Sequence, residues 1–373
     1  MTGGRRVRKD LCSPLLWPGR QPFELFTEGD DLYAAMLEAI AGAEREILLE
    51  SYIFADDEVG RRFAKALAER AGAGVRVRMQ LDAAGSLFWA SRRLDRFLRD
   101  SGINLCWYHR WHWRHPLRYN QRDHRKLLVV DGDRAFLGGF NIHRENSRAC
   151  YGAGRWRDTH VAVTGALAEQ AQAAFRALQQ DRPWSPSPDA EPSSAVILPN
   201  KSPDCQHRLR CLFDAMFASA RRRIEVTTPY FLPDLRTQVA LAEAAGRGVD
   251  VRLLVPRKGD IAPMRWAARR IFAGLLAAGV RIYGYRPRLL HAKTVAVDGD
   301  WATVGTSNLD YRSLFLNHEL NLVARSPELA GRLHDQFGKD LAESEAYRAP
   351  AGPRPEWSDW LWAPVGWGAR RWL

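Results

Sequence analysis

The chain runs to 373 residues, 46% hydrophobic, 10% aromatic and 26% charged, which is long enough to bury a core unaided and excludes collagen-like, disordered and disulfide-scaffold classes. Its 55 Lys and Arg against 43 Asp and Glu give a formal charge of +12, a surface that favours nucleic acid, anionic lipid headgroups or a phosphorylated substrate. The five cysteines fit no zinc spacing and read as reduced cytosolic thiols.

The N-terminal MTGGRRVRKDLCSPLLWPGR carries charge but no apolar run of signal-sequence length. No window holds the roughly eighteen apolar residues of a membrane span, so the expectation is a soluble or surface-bound protein. The first predicted element is an amphipathic helix over 31–44, with Leu32, Met36 and Ile40 on one face. A buried strand follows at 46–54, then a helix at 58–72, a strand at 74–83, a helix at 90–101 and a strand at 103–108. A strand pair spans 125–141, a strand 159–165 and a helix 166–180.

The second half repeats this order. It has helices at 206–222, 234–246, 261–278 and 327–343, and strands at 223–231, 248–256, 279–285, within 293–308 and at 318–324. The Pro- and Ser-rich stretch around 181–195 reads as a linker. Strands alternating with helices predict an α/β fold: two similar α/β/α sandwich domains with mixed sheets, related by a pseudo-two-fold, with a site at their interface. The predicted divisions are an extension over 1–23, a first repeat over 24–185, a linker over 186–198, a second repeat over 199–349 and a Trp-rich tail over 350–373.

One constellation repeats with the folds. His124-Arg125-Lys126 is followed by Asp131 and then Gly138-Gly139-Phe140-Asn141. His291-Ala292-Lys293 is followed by Asp298 and Gly305-Thr306-Ser307-Asn308. Each element is displaced by the same 167 residues (291 − 124). Both lysines stand out in a chain that otherwise chooses Arg. His-x-Lys on a strand turns both side chains to one face. If the pseudo-two-fold joins the two strands, two imidazoles, two ammonium groups and two amides surround one anion. That suits a phosphodiester: one neutral imidazole attacks phosphorus, the other protonates the leaving alcohol, and Lys and Asn hold the equatorial oxygens. The cations are built in, so no cofactor or metal is expected.

These residues resemble the phospholipase D superfamily, marked by a duplicated HxKx4Dx6G-[GST]-x-N motif, over roughly 24–345. Flanking stretches are similar to its bacterial cardiolipin synthase branch: SYIF (51–54), LDAAGS (81–86), WRDTHV (156–161), TPYFLP (228–233) and NLDYRSLFLNHELN (308–321). The resemblance implies His124 and His291 as the nucleophile and acid/base pair, with family habit favouring His124 as nucleophile. It implies Lys126, Lys293, Asn141 and Asn308 on the phosphate, and Asp158 and Glu319 as carboxylates that orient the imidazoles. Asp131 and Asp298 complete the motif and are grouped with the catalytic residues, although their position on the turn between paired strands also allows a structural role. The chain is similar to the shorter type without the two N-terminal transmembrane helices that some branch members carry. The implied activity is transfer of a phosphatidyl group from phosphatidylglycerol, through a phosphatidyl-histidine, to make cardiolipin. It would work peripherally on the cytoplasmic face of an anionic membrane, with nucleic acid an unexpected partner and the oligomeric state open.

Two aromatic stretches have competing readings. WYHRWHWRH (107–115) interleaves His109, His112 and His115 with Trp107, Trp111 and Trp113. It reads as a loop touching headgroups or bases, as a plain covering loop, or as a metal site lacking a completing carboxylate. The tail holds Trp357, Trp360, Trp362, Trp367 and Trp372 and reads as an interfacial anchor or as a segment docked on the protein itself. Two rival functions are a nuclease or phosphodiesterase of the same superfamily and a non-catalytic membrane-surface adaptor.

Overall fold

A computed structural model describes residues 23–348 except 111–112, 114–118, 187–193, 204, 206 and 259–261. The expected N-terminal extension apart from Phe23, the histidines His112 and His115 and the Trp-rich tail fall outside the described residues.

The first half forms in the order the hydrophobic pattern predicts. Strand β1 (Glu24–Phe26) leads into helix α1 (Gly29–Ala41), β2 (Glu46–Ser51), α2 (Glu58–Gly72) and β3 (Arg76–Asp82). Then come α3 (Arg92–Asp100), β4 (Asn104–Tyr108), β5 (Leu127–Val130) and β6 (Arg134–Gly138). A short helix α4 (Arg148–Tyr151), strand β7 (His160–Thr164) and helix α5 (Ala166–Gln179) end the half. Side-chain caps start α2 and α3: Asp57 accepts from the Val59 and Gly60 amides, and Ser91 from Leu94. The seven strands run β1-β7-β6-β5-β2-β3-β4.

The second half begins at β8 (Ala195–Pro199), with α6 (Arg208–Ser219), β9 (Arg223–Thr227), β10 (Phe231–Leu232), α7 (Leu235–Gly246) and β11 (Asp250–Pro256). It continues through α8 (Ala262–Ala277), β12 (Arg281–Tyr285), β13 (Thr294–Val297), β14 (Trp301–Gly305) and β15 (Leu309–Asp310). Helix α9 (Tyr311–Phe315), β16 (Leu320–Arg325), α10 (Pro327–Ala342) and β17 (Ser344–Ala346) close it. The large sheet runs β17-β12-β11-β9-β13-β14-β16-β8, while β10 and β15 pair separately. Removing β17 leaves the strand order of the first sheet, so the duplication in the sequence is a duplication of topology. The expected linker 186–198 already contains most of β8, which pairs antiparallel with β16 as the edge of the second sheet.

Both sheets are mixed. In the first, β2, β3 and β4 are mutually parallel and β5 is antiparallel to β2. The C-terminal end of β2 and the start of β5 therefore meet at one end of the sheet, with Glu50 opposite Leu127. Each sheet buries one face under its own helices. A shared apolar cluster joins the other faces: Leu127, Val129 and Leu137 from the first half meet Ala302, Val304 and Leu322 from the second, with α5 and α10 packed against them. Strands covered on both faces account for near-continuous apolar runs such as LLVV at 127–130. Among the described residues no helix is long and apolar enough to cross a membrane.

Candidate active site

The two His-x-Lys triplets do not lie within strands as predicted. They form the extended segments just ahead of β5 and β13, where the halves meet. Two backbone bridges fix them. The His124 amide donates to the His318 carbonyl at 3.0 Å, and the His318 amide to the Arg122 carbonyl at 2.8 Å. The His291 amide donates to the Arg157 carbonyl at 2.7 Å, and the Arg157 amide to the Leu289 carbonyl at 2.9 Å. Each motif thus hooks onto the residue that precedes a carboxylate of the other half, Glu319 in one case and Asp158 in the other.

The side chains complete this exchange. His124 Nδ1 lies 3.1 and 3.0 Å from the two Glu319 oxygens, and His291 Nδ1 lies 2.5 Å from Asp158 Oδ2. A carboxylate accepting from Nδ1 fixes the tautomer whose free lone pair is on Nε2. Both carboxylates are fully buried. Burial opposes ionisation of Asp158, but His291 and Lys293 beside it, with hydrogen bonds from His291 and the Thr159 amide, hold it below the ordinary carboxylate range. Burial pushes Glu319 up to about 7.

Local sequence explains how each carboxylate fits. A Cβ on Gly139 would stand 1.9 Å from Asp158 Oδ1, so only glycine leaves room for Asp158 there. At the equivalent position Thr306 donates its hydroxyl to Glu319 Oε2 at 2.5 Å, while Asn200 accepts the Glu319 amide at 3.1 Å. The variable position of the motif is thus matched to the carboxylate it faces.

The cations crowd the same space. Lys126 donates to the His124 carbonyl at 2.7 Å, and Lys293 to the His291 carbonyl. Burial and then the facing Lys293 push the Lys126 ammonium down to about 7. Burial, with Lys126, Lys293 and His291 adding repulsion, holds His124 well below the ordinary imidazole value. Burial and Lys293 bring His291 down to about 4. The lysines bias this space positively around neutral imidazoles, and an anion between the ammonium groups would relieve their repulsion.

Asn141 lies at this same end of the sheet; its Oδ1 accepts the Ile53 amide at 3.0 Å, which leaves its NH2 to donate. Asn308 is likewise buried, with no hydrogen-bond partner on Oδ1 among the described residues. Two aromatic rings escaped the sequence reading although their stretches were noted. Tyr52 meets the His124 ring edge-on at 4.9 Å and lies under Lys126 at 5.2 Å. Trp156 packs on the His291 ring at 5.2 Å.

Asp131 and Asp298 are not brought to the imidazoles, a correction to grouping them with catalytic residues. Each sits beyond the far end of its strand with positive φ, 54° and 55°, followed by Gly132 or Gly299. Asp131 accepts from the amides of Glu44, Arg45 and Glu46 at 2.8–2.9 Å. Asp298 does the same for Arg221, Arg222 and Arg223 at 2.7–2.9 Å. Aspartate tolerates the left-handed conformation and ties the turn to the neighbouring strand.

Of the three histidines at 109–115, His109 is described: its Nδ1 is 3.0 Å from the Gln121 carbonyl and its ring stacks on Tyr108. Among the described residues no group of three or more His, Cys, Asp and Glu is placed to hold a metal ion.

Comparison with known proteins gives one family. Residues 36–178 and 213–341 match the family described as cardiolipin synthase, PLD-like domain. The chain is 33% identical over 340 residues to a probable cardiolipin synthase of Bacillus subtilis (strain 168), covering 86% of this chain and 66% of that protein. It is 36% identical over 332 residues to cardiolipin synthase 2 of Bacillus anthracis, covering 85% and 64%. The chain thus spans just under two thirds of the length of these relatives. The fold is similar to that of a phosphatidylserine synthase from Haemophilus influenzae Rd KW20, with a TM-score of 0.74, 16% identity and 97% of each chain covered.

Proposed function

The chain belongs to the cardiolipin synthase, phospholipase D-like family, and from that premise we propose that it transfers a phosphatidyl group from phosphatidylglycerol to a second phosphatidylglycerol. The observation that carries this reading is the pair of imidazoles, each held by the other half's carboxylate beside the two lysines.

The two imidazoles have different carboxylate partners, and we take His124 as the nucleophile and His291 as the acid and base. His124, kept neutral by burial and the neighbouring lysines, has a free Nε2 lone pair, which suits a nucleophile. His291 faces the ionised Asp158, which stabilises its imidazolium and suits the acid and base. His124 Nε2 attacks phosphorus while the bond from phosphorus to the glycerol oxygen breaks. Once bound, the negative phosphodiester stabilises a proton taken up from solvent on His291 Nε2; His291 gives that proton to the glycerol oxygen, and glycerol leaves. A hydroxyl of the second phosphatidylglycerol then gives its proton back to His291 and attacks phosphorus. The N–P bond to His124 breaks and cardiolipin is released. Lys126, Lys293, Asn141 and Asn308 hold the charge on the equatorial oxygens through both steps. The enzyme would work as a peripheral protein on the cytoplasmic face of an anionic membrane, without an obligatory metal.

The test is mass spectrometry of lipids after incubating the purified chain with phosphatidylglycerol vesicles in EDTA. Cardiolipin with stoichiometric glycerol is expected. Phosphatidate alone would make the chain a hydrolase, and unchanged lipid with cleaved DNA would make it a nuclease.

A further inference from the structure

We propose that the loop after β3 and the first turns of α3 form a docking surface for an anionic lipid bilayer, which turns the mouth of the site toward the membrane. The inference rests on the lipid-transfer reading above and names the surface that serves it.

The loop is built to hold two apolar side chains in water. Leu87 is 58% exposed and Phe88 92%, yet the backbone beneath them is fixed. Asp82 Oδ1 accepts the Ala84 and Gly85 amides at 2.9 and 2.8 Å. The buried Ser86 accepts the Phe54 amide at 3.1 Å and donates to the Tyr52 carbonyl at 3.0 Å. A Cβ on Gly85 would stand 2.3 Å from that carbonyl, so the loop lies tight against the Tyr52 segment. Tyr52 is the residue whose ring meets His124. Rigid exposure of Leu and Phe to water costs free energy that burial in an apolar phase returns.

The charge beside them has the sign an anionic surface requires. Arg92, Arg93 and Arg96 are exposed on α3, two of them in its first turn, where the helix dipole disfavours cations. Asp95 pairs with Arg99 at 3.1 Å and Arg110 at 3.9 Å, and the three arginines make no ion pair among the described residues. Phe97, 45% exposed, lies one helical turn on from Arg93. Helix α3 starts at the end of the sheet where β3 finishes, which is also the end where β5 begins beside Lys126. Apolar side chains to enter the bilayer and arginines to meet its headgroups therefore share one rim of the site.

The experiment is sedimentation of the full chain with phosphatidylcholine vesicles, with and without about one third phosphatidylglycerol. Leu87→Ser/Phe88→Ser should bind the anionic vesicles at least about tenfold more weakly. Arg92→Gln/Arg93→Gln/Arg96→Gln should lose most of the preference for phosphatidylglycerol and its salt sensitivity. Both variants should keep the parent's thermal transition and its turnover of a water-soluble phosphodiester. In the parent, amide exchange across 83–97 should slow when anionic vesicles are added. Parental vesicle binding by both variants, with unchanged exchange, overturns the proposal. So does a parental dimer that the substitutions dissociate, or a loss confined to duplex DNA binding. Cardiolipin formed from detergent-dispersed phosphatidylglycerol alongside a failed vesicle test would refute the surface and leave the transfer reading intact.

Discussion

His124 Nδ1 lies 3.0 Å from a carboxylate oxygen of Glu319, 195 residues further along the chain. The reciprocal contact, His291 to Asp158, spans 133 residues in the opposite sense. Neither half holds a complete catalytic pair, so neither is expected to turn over substrate alone.

The unequal carboxylates predict separable roles. His124→Ala and His291→Ala should each lower transfer from phosphatidylglycerol by about 10³ or more. A phosphatidyl-p-nitrophenol substrate has a leaving group that needs no proton. With it, His291→Ala and Asp158→Asn should retain a stoichiometric burst of p-nitrophenol and a trapped adduct on His124. His124→Ala should show no burst, and Glu319→Gln a slowed one whose pH profile differs from the parent's. A burst that survives in His124→Ala and vanishes in His291→Ala would reverse the assignment.

The variable position of the motif should be intolerant in both copies, for different reasons. Gly139→Ala sets a methyl against Asp158, costing about 1–3 kcal/mol of stability and displacing the carboxylate from His291. Thr306→Val keeps the shape but removes the hydroxyl that Glu319 accepts, leaving a buried carboxylate oxygen short of a donor at a cost of about 1–3 kcal/mol. Chemical denaturation and kcat measured together check both. A Gly139→Ala enzyme with parental kcat would show that Asp158 does not need its present position.

Arg157 and Asp340 join the halves by an ion pair of 2.7 Å whose side chains are 3% and 4% exposed. Arg157→Met leaves the Asp340 carboxylate buried without its guanidinium and should destabilise the chain by about 3–5 kcal/mol in urea titration. Asp340→Leu in that background should recover part of the loss, because the uncompensated group is then gone.

Acid should unfold the chain through histidines the reaction does not use. Burial brings His143 and His160 down to about 3 from 6.5. Above pH 6.5 these histidines are neutral whether folded or unfolded and cost nothing. As pH falls from 6.5 toward 3, the unfolded chain takes up protons that the folded chain refuses, so stability declines. Each such histidine adds a slope of up to about 1.4 kcal/mol per pH unit. His160→Leu should flatten the fall between pH 6 and 4, and an unchanged slope would show that His160 titrates normally in the fold.

Much of the fold was legible because periodicity reports burial. The helix face Leu32, Met36 and Ile40 is fully or nearly fully buried, and the four β5 residues form a strand buried throughout. The edge strands β1, β8 and β17 were not, since three to five residues carry too short a pattern and take their conformation from the neighbour they pair with. The strand predicted over 223–231 divides into β9 and β10, because Phe231 and Leu232 pair with β15 instead of continuing the main sheet.

From the chain alone came the duplication, the chemistry-bearing residues and the charge that suits a phosphodiester, because spacing and residue type are local properties. Which carboxylate serves which imidazole, and how far each group departs from its ordinary protonation, came only with the assembled halves. Both depend on burial and on contacts between residues more than a hundred positions apart, and periodicity within a segment carries no information about either.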